Sequence, residues 1–146
     1  MKSFPPALCL AFVLAGCQAP HPESETRPAG VTGLSASVLD EALFGRVDFR
    51  RHVAPILQAK CLYCHQPSAM PGHLSLVSRE AAFASGPYII PGQPNASPLI
   101  RTLGDKAHLA MPAVGNQVTP EEIRVLKRWI QQGAVWPDGP AGLLQH

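Results

Sequence analysis

The sequence predicts a small all-α domain with long loops, and three observations predict it. Thr119-Pro120-Glu121-Glu122 opens the clearest helix: Thr119 caps it, Pro120 takes the first position, and Glu122 completes a capping box. Three shorter segments, Ser37 to Gly45, Ser78 to Gly86 and Ser97 to Gly104, carry the same grammar of cap and stop. The third observation is a count of 16 prolines in 146 residues, which assigns much of the chain to loop and turn. At this length one domain is expected. A small, loop-rich domain has difficulty filling a core, so a covalent cofactor or staple is expected as well.

The first segment is expected to leave the chain. Lys2 gives a positive start, and Ala7 to Leu14 is an apolar run. As a helix it would span roughly 12 Å, too short for a hydrocarbon core of about 30 Å. It therefore has the form of a secretory signal, residues 1–16. Leu14-Ala15-Gly16-Cys17 is similar to the bacterial lipobox, which implies that Cys17 becomes an acylated N-terminus. Gln18, standing where an Asp would imply inner-membrane retention, points to the outer membrane. The expected location is therefore an exported domain in the periplasm, held to the membrane by lipid.

Residues 17–46 form the next unit: the lipidated cysteine, a tether rich in Pro, Glu, Ser, Thr and Gly, and one short helix. In that helix Ser37 is the expected cap, Asp40 stands at the capping-box position, and Gly45 is the stop. Val53 to Cys61 follows as a helix with Pro55 in its first turn. Leu74 to Val77 is short and extended. Ser78 to Phe83 is a capped helix closed by Gly86. Tyr88 to Ile90 is extended and turns at Pro91-Gly92. Ser97-Pro98 opens a helix that ends at Gly104. In the last helix Ile123, Leu126, Trp129 and Ile130 make one apolar stripe, and Gly133 ends it. Beyond Pro137, residues 138–146 are expected to be a loosely held tail.

Charge carries little information. Without Lys2 the exported part has 11 Lys and Arg (12 − 1) against ten acids. Arg46, Arg50, Arg51 and Lys60 cluster, as do Arg124, Lys127 and Arg128, and both clusters suit solvated faces better than a docking patch. Nothing indicates nucleic-acid binding.

After export only Cys61 and Cys64 remain in the folded part. Cys61-Leu62-Tyr63-Cys64-His65 is the C-x-x-C-H attachment signature. Its spacing suits two thioether bonds to the vinyl groups of one haem, with His65 placed under the iron. A zinc site needs a second ligand pair that this part of the chain lacks. A redox dithiol wants a preceding strand and a helix N-terminus. A disulfide across two residues would be strained and would leave His65 without a role.

The sixth iron ligand has five candidates: Met70, Met111, His52, His73 and His108. Five residues reach at most about 17 Å, which is marginal for passing from His65 around the macrocycle to Met70, and the same objection weakens His73. Met111 lies in a distant loop before the last helix and is favoured. Its competing role is a core filler. His108 is second, and a His/His pair would lower the potential relative to Met/His.

These residues sit in a wider pattern. Pro55-Ile56-Leu57, the C-x-x-C-H run, Leu74-Ser75-Leu76-Val77-Ser78-Arg79-Glu80-Ala81, Gly86 to Gly92, Ser97 to Arg101, Met111-Pro112, Glu121-Glu122-Ile123, Trp129-Ile130 and Gly133 to Pro137 occur in order. Over residues 47–137 the chain resembles the planctomycete-type cytochrome c domain, a small monohaem module of the class I group. The resemblance implies a class I cytochrome c-like fold with long loops around one covalent haem c, His65 proximal and Met111 distal. Pro71-Gly72-His73 departs from the glycine pair frequent in the family.

The function that follows is single-electron transfer between a donor and an acceptor redox protein, without catalysis, because a saturated iron offers no open site. A haem-based sensor or peroxidase-like protein with an open sixth position is the alternative. A module that uses haem only as core volume is the third reading.

Overall fold

The computed structural model describes residues 34–69, 73–103, 111 and 117–145. Five α-helices follow one another: α1 Ala36–Phe44, α2 Ala54–Lys60, α3 Arg79–Ala84, α4 Pro98–Arg101 and α5 Pro120–Gln131. A π-helical turn, Phe49–Val53, leads into α2, and a 3-10 turn, Gly139–Gly142, lies near the C-terminus. Among the described residues the only β pairing is an isolated parallel bridge between Leu103 and Met111. The all-α class expected from the caps is therefore observed. The calls on Cys17, the signal segment, Met70, Gly104 and His108 lie outside the described residues.

α5 is the spine. Its capping box is formed in both directions: Glu122 N–H donates to Thr119 Oγ1 (3.2 Å) and Thr119 N–H donates to Glu122 Oε2 (2.8 Å). Val125, Leu126, Trp129 and Ile130 are buried along one face, and Ile123 is only partly buried at its edge. At the far end Gly133 (φ 100°) and Ala134 (φ 51°) turn the chain so that Ala134 N–H meets the Trp129 carbonyl at 2.9 Å. Gly92 N–H donates to the Ile130 carbonyl (2.7 Å), so a distant turn satisfies one of the carbonyls that a helix end leaves open.

The π-turn and α2 make one continuous delivery arm, longer than the sequence predicts. Asp48 caps it, accepting from Arg51 N–H at 2.8 Å. Ala54 N–H reaches back five residues to the Phe49 carbonyl. This wide turn falls immediately before Pro55, which has no N–H with which to continue the ordinary ladder. Val53, Ile56, Leu57 and Leu62 are buried beneath it. Each buried aliphatic side chain contributes about 1.5–3 kcal/mol.

Three local expectations are corrected. The cap of α1 is Ser35, which accepts from Val38 N–H at 3.3 Å, and not Ser37; Asp40 therefore stands outside any capping box. Ser97 precedes α4 without capping it, because its hydroxyl accepts from Ile90 N–H (2.9 Å) and donates to the Gln93 carbonyl (2.9 Å). The segment after Pro137 is docked rather than loose. Trp136 Nε1 donates to the Gly142 carbonyl (2.8 Å), Leu144 is buried and its N–H donates to the Val77 carbonyl (2.9 Å), and Gln58 Nε2 donates to the Gln145 carbonyl (2.7 Å). A Cβ on Gly142 would sit 1.8 Å from the Pro137 carbonyl oxygen, so only glycine permits this close return. Trp136 also stacks on Phe49 at 4.5 Å, which joins the C-terminal segment to the delivery arm.

Three residues of the basic clusters have partners within the fold. Arg51 pairs with Glu41 (2.8 Å), Arg124 with Glu121 (3.2 Å), and Arg128 donates to the Ala42 and Gly45 carbonyls (3.1 and 2.9 Å). The Arg128 bonds hold α1 against α5.

Candidate haem-attachment site

The site begins where α2 ends. Cys61 N–H and Leu62 N–H both return to the Leu57 carbonyl (3.0 and 2.8 Å), which closes the helix and starts a tight turn. Cys64 N–H and His65 N–H then both donate to the Cys61 carbonyl (3.2 and 3.0 Å). Residues 61–65 are thus one wound turn, and the three chemically distinctive side chains of the motif leave it together.

The two cysteines meet different surroundings. Both are free thiols; Cys64 is exposed, whereas Cys61 packs against the hydrophobic core. Burial first, and the Glu122 carboxylate second, push the Cys61 thiol up to about 12. A redox dithiol works through a thiolate made accessible by a lowered pKa. Cys61 has the opposite setting, which argues against a thioredoxin-like role for this pair.

His65 is fixed from two directions by one short segment. Its ring Nδ1 donates to the Leu74 carbonyl at 3.2 Å, and its own carbonyl accepts from Leu76 N–H at 2.8 Å. A carbonyl can only accept, so Nδ1 carries the proton and Nε2 keeps its lone pair. A metal-bound imidazole wants its other ring nitrogen bonded in this way, because the bond to the carbonyl sets both tautomer and ring orientation. The supporting segment is itself supported: Ser75 N–H donates to Ser85 Oγ (3.1 Å), and that hydroxyl donates to the Ala81 carbonyl at the end of α3 (2.7 Å). Leu74 and Leu76 are buried, which anchors the segment in the core.

These features fit a covalently held haem. Two unpaired thiols on one turn suit thioether attachment, and an imidazole with Nδ1 occupied suits iron ligation through Nε2. The Nδ1 partner is a backbone group nine residues away and had no residue-type signal in the sequence. The charge of Glu122 beside Cys61 was also unforeseen, because the capping box had already explained that residue.

The sixth-ligand candidates are separated by the fold. Met111 is half-buried, and its N–H donates to the Thr102 carbonyl at 2.8 Å alongside the bridge to Leu103, so its backbone is held just after α4. His52 is buried with Nδ1 accepting from Asp48 N–H (2.9 Å), next to Glu41 of α1, a neighbourhood that explains it without iron. His73 is exposed. Among the described residues, no three His, Cys, Asp or Glu side chains gather as a metal cluster, and no helix is long and apolar enough to cross a membrane.

In comparison with protein families, residues 61–113 fit the family model described as Planctomycete cytochrome C. The match starts at Cys61, includes His65 and Met111, and supports haem c binding and electron transfer. No curated protein and no solved structure matched the chain.

Proposed function

We propose that this chain, which carries a planctomycete-type cytochrome c domain, is an exported electron carrier with one covalent haem c and a lipid tether at Cys17. Cys61 and Cys64 would hold the macrocycle through thioether bonds, and His65 and Met111 would be the side chains that bind its iron. When bound, haem supplies reversible one-electron chemistry at its iron. The chain's own residues do the rest. The α2 end presents the attachment turn, the Leu74 carbonyl holds His65 in the ligating tautomer, and the Thr102 contact fixes the backbone of Met111.

The observation that carries this reading is the His65 Nδ1–Leu74 bond within an intact C-x-x-C-H turn. A thioether ligand on the far side would saturate the iron and leave no substrate position, which favours a carrier over a catalyst. Exchange with donor and acceptor redox proteins then needs only approach to the haem edge, and a tether of the length of residues 17–33 leaves the domain free to reach both.

The test is a reduced-minus-oxidised spectrum of the exported protein, followed by exposure of the reduced form to carbon monoxide. The expected result is a low-spin c-type spectrum that carbon monoxide leaves unchanged. A five-coordinate ferrous form that binds carbon monoxide readily would replace the carrier by the sensor or peroxidase-like alternative.

A further inference from the structure

Among the described residues, His52 is the most completely buried ionisable side chain that the attachment site does not use; its exposure is 1%. It lies in the π-turn where α1 meets the delivery arm. Nδ1 accepts the Asp48 N–H (2.9 Å), so Nε2 must carry the proton in the neutral ring. That Nε2 has no hydrogen-bond partner, and the nearest carboxylate oxygen, Glu41 Oε1 of α1, stands 4.0 Å away. The other oxygen of Glu41 is held by Arg51 at 2.8 Å. The two edges of the ring therefore place opposite demands on a second proton. Charging the ring would strengthen its attraction to Glu41, but it would put an N–H on Nδ1, facing the Asp48 N–H that now donates to it.

We propose that His52 is an acid-released latch of the π-turn: while neutral it closes the turn by accepting the Asp48 N–H, and protonation, which places an N–H on Nδ1, opens that bond. The charged groups around it are few. Glu41 of α1 favours the charged ring, as does Asp48 of its own turn, and Arg51 opposes it. α5 contributes Arg128, which is engaged with the Ala42 and Gly45 carbonyls, and α2 has no charged side chain except Lys60 at its far end. Burial outweighs the two carboxylates and holds the imidazole below its ordinary 6.5. In the opened turn the ring regains the ordinary value. Opening therefore becomes easier as pH falls through 6.5, and the gain stops once pH passes below the lowered value of the closed state.

The test is amide hydrogen exchange on the full, haem-loaded chain from pH 7.5 to 5.0, corrected for intrinsic exchange. The protection of Asp48 N–H should be flat above pH 6.5 and fall by up to about tenfold per pH unit below it. His52→Asn keeps an acceptor near the Nδ1 position without titrating, and should flatten the profile. Glu41→Gln leaves the imidazole in place and removes a group that favours its charge, so the loss of protection should continue to lower pH. Protection that stays constant to pH 5.0 in the unaltered protein, or the same pH profile in all three proteins, overturns the latch. Neither result depends on which residue is the sixth iron ligand.

Discussion

His65 and Met111, the two proposed iron ligands, stand in two differently built regions. His65 is held at its ring and at its backbone by Leu74 and Leu76, nine and eleven residues away, and that segment is braced by Ser85. Met111 is held at its backbone by Thr102 and Leu103, with no described polar contact at its side chain. The proximal side is thus held at ring and backbone by a segment anchored in the core and braced by α3, whereas the distal side is held at its backbone just after α4. A ligand held by ring and chain should resist exchange, and a ligand held by its chain alone should be the one that exchanges.

The largest expected effect removes both sides at once. Replacing Cys61 and Cys64 together by Ser should abolish covalent attachment, read as complete loss of haem staining after denaturing electrophoresis. Retained staining would overturn the attachment site. Next, Met111→Ala should open only the distal side. The reduced protein should then bind carbon monoxide at least tenfold more tightly than the unaltered protein, a difference on the order of 1.4 kcal/mol or more. Indifference of carbon monoxide binding to this change would move the sixth ligand to another residue. The smallest effect belongs to the proximal brace. Ser85→Ala leaves Ser75 N–H without its acceptor and should cost about 1–2 kcal/mol in denaturant unfolding, with the low-spin spectrum retained. A spectral change without loss of stability would mean that the brace acts on the iron rather than on the fold.

The same contrast explains what the sequence made legible. Residue-type signals were readable wherever side chains set the structure: the Thr119–Glu122 box, the buried face of α5, Ser78 as cap of α3, and the C-x-x-C-H turn. Contacts made by the main chain were not readable, because a carbonyl has no letter. The Leu74 acceptor for His65 and the Thr102 acceptor for Met111 belong to this class. Competition between serines misled in two places. Ser35 and Ser37 are both acceptable caps, and Ser97 found a better partner in Ile90 than in its own helix. The docked C-terminal segment was missed for a tertiary reason. Trp136 and Leu144 are buried only because Phe49 and Val77, distant in sequence, provide the surfaces. The lipid at Cys17 and the identity of the sixth ligand rest on the sequence and its resemblance.

The support of His65 by the Leu74 carbonyl has a consequence for engineering this protein. No point substitution can delete that bond, since every amino acid brings the same oxygen. What holds that oxygen in place is the burial of Leu74 in the core and the Ser75–Ser85 bond behind it, so the orientation of the His65 ring is set by packing at a distance from the C-x-x-C-H turn itself.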